Sequence, residues 1–203
     1  MAASPCDVDP QSLREAVQDV YARVATAPEG SFHFHRGPHY ATSMLGYSAA
    51  ALATLAPQVT AAFSGVGNPL GIAALGSGMT VVDVGCGSGT DLLLAARAVG
   101  PSGRAIGIEM TPAMAELARR GALIAGLDNV EVRLAEALAL PVDTESADVV
   151  LSNGVVNLIV QKETALREMF RVLRPDGMLL LADIALDGAL GSESRGDIDL
   201  WTG

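Results

Sequence analysis

From residue 79 onward, five short apolar runs alternate with amphipathic stretches of helical period, and nothing else in the chain restricts its fold as strongly. The runs fall at 79–84 (MTVVDV), 104–109 (RAIGIE), 130–134 (VEVRL), 147–152 (ADVVLS) and 178–184 (MLLLADI). Between them lie helical stretches at about 90–98, 112–125 and 161–173, the last closed by the turn signature RPDG at 174–177. Strands separated by helices of this length build right-handed βαβ units, hence a parallel sheet with helices on both faces. The expected fold class is therefore α/β, a doubly wound open sheet. Upstream, residues 11–27 place Leu13, Val17, Val20, Tyr21 and Val24 at helical spacing. Residues 30–40 read as irregular, 47–63 as a further helix, and GVGNP at 65–69 as a turn.

Composition narrows the function. With 50% hydrophobic and 18% charged residues the chain can bury a core, so disorder is not its main state. Thirteen basic against 23 acidic side chains leave a net charge of −10, which repels phosphate backbones and argues against nucleic acid as a partner. Cys6 and Cys86 are too few for a disulfide framework or a thiolate-rich metal site, and the opening MAASPCDVD has no apolar leader pattern, so a cytoplasmic protein is expected. The charge distribution is uneven: residues 37–82, 46 in a row, include no Asp, Glu, Lys or Arg. A membrane span is not expected there, because Gly46, Pro57, Gly65, Gly67 and Pro69 interrupt the stretch and no run reaches about 18 apolar residues.

In open α/β sheets, ligands bind beyond the carboxyl ends of the strands, near the point where the strand order reverses. The loop after the first run, VVDVGCGSGTD at 81–91, is the place to look. Gly85, Gly87 and Gly89 allow a tight turn and a close backbone approach, and the helix that follows offers unpaired N–H groups. A dinucleotide fingerprint would need glycine where Thr90 stands, which disfavours a nicotinamide oxidoreductase. Asp83, just ahead of the loop, suits a ligand with positive charge better than a pyrophosphate. Glu109, closing the second run, is placed to accept hydrogen bonds from two ribose hydroxyls.

The segments VDVGCGSG, GIEMTPAM and SNGVVNL together resemble the motifs of class I S-adenosylmethionine (SAM) methyltransferases. Within that class the chain is most similar to arsenite methyltransferases and to ubiquinone/menaquinone C-methyltransferases, from about residue 43 to the C-terminus. The resemblance implies a Rossmann-like sheet, SAM as cofactor and methyl transfer to a small-molecule acceptor. It implies that Asp83, Gly85 and Gly87 contact the methionine part of SAM, with Cys86 and Gly89 in the same loop. It further implies that Glu109 binds the ribose, Met110 lies beside the adenine, Glu136 and the adjacent Ala137 face the adenine amino group, and Asn153 lies next to the methionine moiety and the substrate. The corresponding organisation is an N-terminal helical lid and substrate-side segment over 1–70, a SAM-binding α/β domain over 71–184, and an acidic tail or the start of a further C-terminal portion over 185–203.

The departures from the family pattern bear on the substrate. Trivalent arsenic needs soft thiolate ligands, yet Gly154 and Val66 stand where arsenite methyltransferases have cysteines, and the sequence stops at Gly203, just after the DLWTG that a third cysteine would follow. The expected acceptor is small and neutral or apolar, in keeping with the uncharged stretch 37–82. An arsenite-like enzyme using other ligands and a SAM-binding protein without transferase activity are the alternatives. Two further strands usual in the class have no counterpart after Ile184, so the sequence is expected either to be a piece or to form an abbreviated sheet, whose apolar edge then calls for a cover such as a second copy in a homodimer. No metal site is expected. His33, His35 and His39 lie in a Gly/Pro-flanked loop; the sequence identifies no catalytic residue, and His35, His39 and Asp183 are candidate bases.

Overall fold

In a computed structural model, which describes residues 8–185, 187 and 201, the five apolar runs are strands of one parallel sheet. They are β1 (Thr80–Val84), β2 (Arg104–Glu109), β3 (Val130–Leu134), β4 (Ala147–Asn153) and β5 (Leu173–Ala182), in the spatial order β3-β2-β1-β4-β5. The helices are α1 (Pro10–Thr26), α2 (Gly37–Ser43), α3 (Ala49–Leu52), α4 (Pro57–Ala61), α5 (Thr90–Val99), α6 (Pro112–Ala125) and α7 (Lys162–Val172). The order reverses between β1 and β4, so the carboxyl ends of these two strands flank the crevice where such folds bind ligands.

Period-two alternation divides the sheet between two cores. Val81, Val149, Leu151 and Leu180 pack with Ala95 and Val99 of α5 on one face. Val82, Val84, Ile106, Ile108 and Val150 pack with Met169 and Val172 of α7 on the other. Because both faces are buried, the centres of β1 (Val81, Val82, Val84) and β4 (Val149, Val150, Leu151) are apolar on both sides, and each fully buried Val or Leu contributes about 1.5–3 kcal/mol relative to exposure. Asp83 shares the Val81 face, directed toward the start of α5, and is the one charged residue of β1. No described helix is long and apolar enough to cross a membrane.

Three regions depart from the sequence reading. The RPDG signature does not separate α7 from the fifth strand; it bulges within β5. Ala147 pairs with Leu173 and Val149 with Met178, so β5 takes five steps where β4 takes two, and Asp176 adopts φ 64. The ion pair of Arg174 with Asp148 pins the bulge to β4. The helix expected over 47–63 is instead α3 and α4, because Pro57 holds Ala56 extended at ψ 136. The segment expected to be irregular includes α2, which starts at Gly37 (φ 86) with Pro38 in its first turn, and the Gly37 N–H donates to the Phe63 carbonyl at 2.8 Å.

Candidate functional site

A cleft opens beyond the carboxyl ends of β1, β2 and β4, walled by α1 and by residues 62–65. Its floor is the loop after β1. The Gly85 and Cys86 N–H groups both donate to the Ile108 carbonyl, at 2.8 and 3.0 Å, which curls the loop over the end of β2. Gly85 has φ 73, and a Cβ there would lie 2.4 Å from Val155 Cγ2, so both the turn and the contact require glycine.

Three buried carboxylates meet at this floor. Glu109 accepts from the Gly87 N–H at 2.9 Å and from the Thr111 N–H at 2.7 Å. The Thr111 hydroxyl and the Met110 N–H also donate to its carboxylate. Asp83, only 2% exposed, accepts from the Leu92 N–H, and its Oδ2 has no partner. Asp91, in the first turn of α5, is 6% exposed. Burial pushes all three carboxyls above their ordinary range; the charges of Asp91 and Glu109 push Asp83 further, while hydrogen bonds to Asp91 and Glu109 oppose the rise. Among the described residues no Lys, Arg or His makes an ion pair with any of the three. A buried acidic cluster with an orphaned oxygen and no internal cation suits a positively charged ligand.

Asp91 is held from two sides. The Tyr47 hydroxyl donates to Asp91 Oδ1 at 2.6 Å, and Asn153 Nδ2 donates to Asp91 Oδ2 at 2.9 Å. Asn153, at the end of β4, also binds the turn at 65–67. Its Oδ1 accepts from the Val66 and Gly67 N–H groups at 2.8 and 3.1 Å, and its Nδ2 donates to the Gly67 carbonyl at 2.9 Å. A Cβ on Gly65 would lie 2.3 Å from Asn153 Nδ2, so this approach needs glycine. On the same side of the cleft, Val66 faces Gly154, whose Cβ position lies 3.2 Å from Val66 Cγ1.

Of the residues singled out from sequence, Asp83, Gly85, Gly87, Glu109, Met110, Glu136, Ala137 and Asn153 all line the cleft. Gly89 is the left-handed N-cap of α5 beneath it, with φ 94. Cys86 belongs to the loop, but its side chain packs between Leu92, Ala96 and Ala105, where burial pushes the thiol well up. Glu136 is paired with Arg14 of α1 at 3.0 Å across the cleft mouth. Neither His35 nor His39 lines the cleft: both are exposed, and His35 stacks on Tyr40 with centroids 5.2 Å apart. The loop that carries His35 is shaped by Arg36, which donates to the Pro28 and Gly30 carbonyls and lies over Phe32, whereas His39 is on α2. Asp183 accepts from the Val156 N–H at 2.8 Å and also from the Asn157 and Ile184 N–H groups, so its carboxylate holds the loop after β4. The described residues hold no group of metal-ligating side chains. Cys6 and most of the acidic tail lie outside the described residues.

The sequence reading missed Asp91 and gave Tyr47 no part in the site. An acid in the first turn of a helix is an ordinary dipole-complementing choice, and no local pattern foretells a bond between residues 44 positions apart.

Comparison with known proteins agrees with this geometry. The profile of the family described as "Methyltransferase domain" matches residues 75–200. An arsenite methyltransferase of Halobacterium salinarum is 37% identical over 97% of this chain and 54% of its own length. The ubiquinone/menaquinone biosynthesis C-methyltransferase of Hahella chejuensis is 38% identical over 54% of this chain and 44% of its own. Among solved structures, an arsenic(III) S-adenosylmethionine methyltransferase from Chlamydomonas reinhardtii superposes with a TM-score of 0.67 at 36% identity, covering 72% of this chain and 51% of that one. The chain spans about half the length of the curated relatives it matches most extensively. It belongs to the methyltransferase-domain family, of the class I type that uses S-adenosylmethionine.

Proposed function

We propose that the protein transfers a methyl group from SAM to a small, neutral or mostly apolar acceptor, in the cytoplasm. The observation that carries this reading is the unpartnered, buried Oδ2 of Asp83 among three carboxylates that lack a cation, at the switch point of the sheet. These residues fit the cofactor. Asp83 with the backbone of Gly85 and Gly87 would hold its methionine part, and Glu109, oriented by the Gly87 and Thr111 amides, would take the ribose. Met110, Glu136 and Ala137 would flank the adenine.

SAM, when bound, supplies a methyl group already activated by a sulfonium, so the protein's task is alignment and exclusion of water. Leu13 and Val17 of α1, Phe63, Val155 and Leu158 line the cleft and keep it dry. Tyr21 is the hydroxyl on the α1 wall; burial pushes its pKa up to about 12, so it remains a proton donor and not a base at neutral pH. With all three histidines outside the cleft and Asp183 engaged by backbone amides, none of these four side chains stands ready as a general base. The fitting acceptor is therefore one that is nucleophilic by itself, such as an activated carbon. Arsenite is not proposed, since Val66 and Gly154 supply no sulfur.

The deciding experiment is transfer of labelled methyl from SAM to a panel of thiols, quinones, phenols and arsenite. Turnover of a neutral organic acceptor supports the reading; turnover of arsenite alone contradicts it.

A further inference from the structure

Asp91 has no role in holding SAM under the assignment above, yet each of its two oxygens is held by a side chain from a distant segment. A Tyr hydroxyl and an Asn amide both donate to it, one from the N-terminal segment and one from β4, at 2.6 and 2.9 Å. The phenol has a single proton. At 2.6 Å from a carboxylate that proton is committed to Asp91, and the Gly67 carbonyl, 3.2 Å from the same hydroxyl, is served by Asn153 at 2.9 Å. Every polar atom of Asn153 is thus in use, and both of its amide protons point toward acceptors. Such an arrangement stabilises a charged aspartate rather than a neutral one, at a place where burial and Asp83 work against that charge.

Resting on the SAM reading, we propose that Tyr47 and Asn153 are positioning residues that hold Asp91 as a second anion, beside Asp83, facing the positive charge of the methyl donor. SAM has a sulfonium and an ammonium against one carboxylate, whereas S-adenosylhomocysteine, the product after methyl loss, has lost the sulfonium charge. A second buried anion therefore favours the donor over the product. It offers a physical means of product release: once the methyl leaves, the attraction to Asp91 disappears. The groups that face Asp91 are Asp83 from β1, Tyr47 from the segment between α2 and α3, and Asn153 from β4, with Glu109 of β2 behind Asp83. None of them is a cation, so the pH dependence is that of the carboxylates themselves.

The test uses calorimetric titration of the whole chain with SAM and, separately, with S-adenosylhomocysteine, between pH 5 and 8. Asp91→Asn is expected to lower SAM affinity roughly tenfold while changing that for S-adenosylhomocysteine by less than about twofold. Tyr47→Phe, which keeps the ring and loses only the donor, is expected to move the acid limb of SAM binding upward by roughly 0.5–1 pH unit. A merely structural role would weaken both ligands equally and leave the acid limb in place. Equal loss for the two ligands in both variants, or an unmoved acid limb in Tyr47→Phe, overturns the proposal. If Asp91→Asn does not fold, the pH limb of Tyr47→Phe decides alone. A parent protein that binds S-adenosylhomocysteine as tightly as SAM removes only this inference; one that binds neither at any pH removes the SAM reading with it.

Discussion

Asn153 and Gly67 bond in both directions: the side-chain oxygen accepts from the Gly67 N–H at 3.1 Å, and the side-chain nitrogen donates to the Gly67 carbonyl at 2.9 Å. This two-way contact fastens a turn of the uncharged N-terminal stretch to the end of β4, across a sequence separation of 86 residues. Removing it in Asn153→Ala leaves backbone groups without partners and opens space under Gly65. The expected cost is about 1–3 kcal/mol of stability, with faster amide exchange confined to residues near 65–67. Urea unfolding and hydrogen exchange check this; slowed exchange, or an unchanged midpoint, would count against it.

The buried acids make the ligand-free protein pH-sensitive in an unusual direction. Asp83, Asp91 and Glu109 have folded-state pKa values raised above those of the unfolded chain. Between the ordinary carboxylate range and the raised values the native state binds more protons than the unfolded state, so stability falls as pH rises through that window. Asp83→Asn removes one of the charges. Its melting temperature is expected to exceed the parent's at pH 8, by about 2–4 °C for each kcal/mol gained, and to converge with it toward pH 4, while SAM affinity falls. A variant less stable than the parent at pH 8 would show that the cluster is not repulsive.

Glycines in the cleft differ in what they do. Gly65→Ala drives a methyl group into the Asn153 amide and is expected to destabilise the fold. Gly87→Ala meets nothing within 4 Å, but sits at φ 53, so its folding cost is limited to about 1–2 kcal/mol of backbone strain. Because Gly87 lines the cleft, its methyl group should weaken SAM at least tenfold in a protein that still folds. Thermal melts with and without SAM separate the two variants, and a Gly87→Ala protein with parental SAM affinity contradicts the assignment of this loop.

Much of this architecture is legible in the sequence, for reasons that show where such reading stops. The periods of 2 and 3.6 are local, so β2, β3 and α6 fall at the expected residues, and Asp83 and Glu109 stand out as acids at strand ends beside a glycine loop. Pro57 splits the helix expected over 47–63, a boundary set by one residue's restriction on its neighbour. The RPDG bulge has the composition of a free turn and differs only through pairing with β4. Tyr47, Asp91 and Asn153 come from three distant segments, and only tertiary packing joins them. The three histidines carry suitable chemistry, but all are exposed and none lines the cleft.

The facing pair Val66 and Gly154 accounts for the expected indifference to arsenite. Val66→Cys with Gly154→Cys would bring two thiols together on the acceptor side, at the expense of strain at φ 72. Arsenite is expected to stabilise this double variant against heat and to leave the parent unchanged. Equal stabilisation of the parent would mean that other ligands hold arsenic.

The central claim is that the acidic, cation-free floor of the cleft receives a cationic adenosyl donor. Calorimetric titration of the folded chain with SAM tests it most directly. Saturable binding of one SAM per chain is expected, weakened by Asp83→Asn and by Glu109→Gln, with no binding of NAD. A folded sample that takes up no SAM, or that prefers NAD, would contradict it.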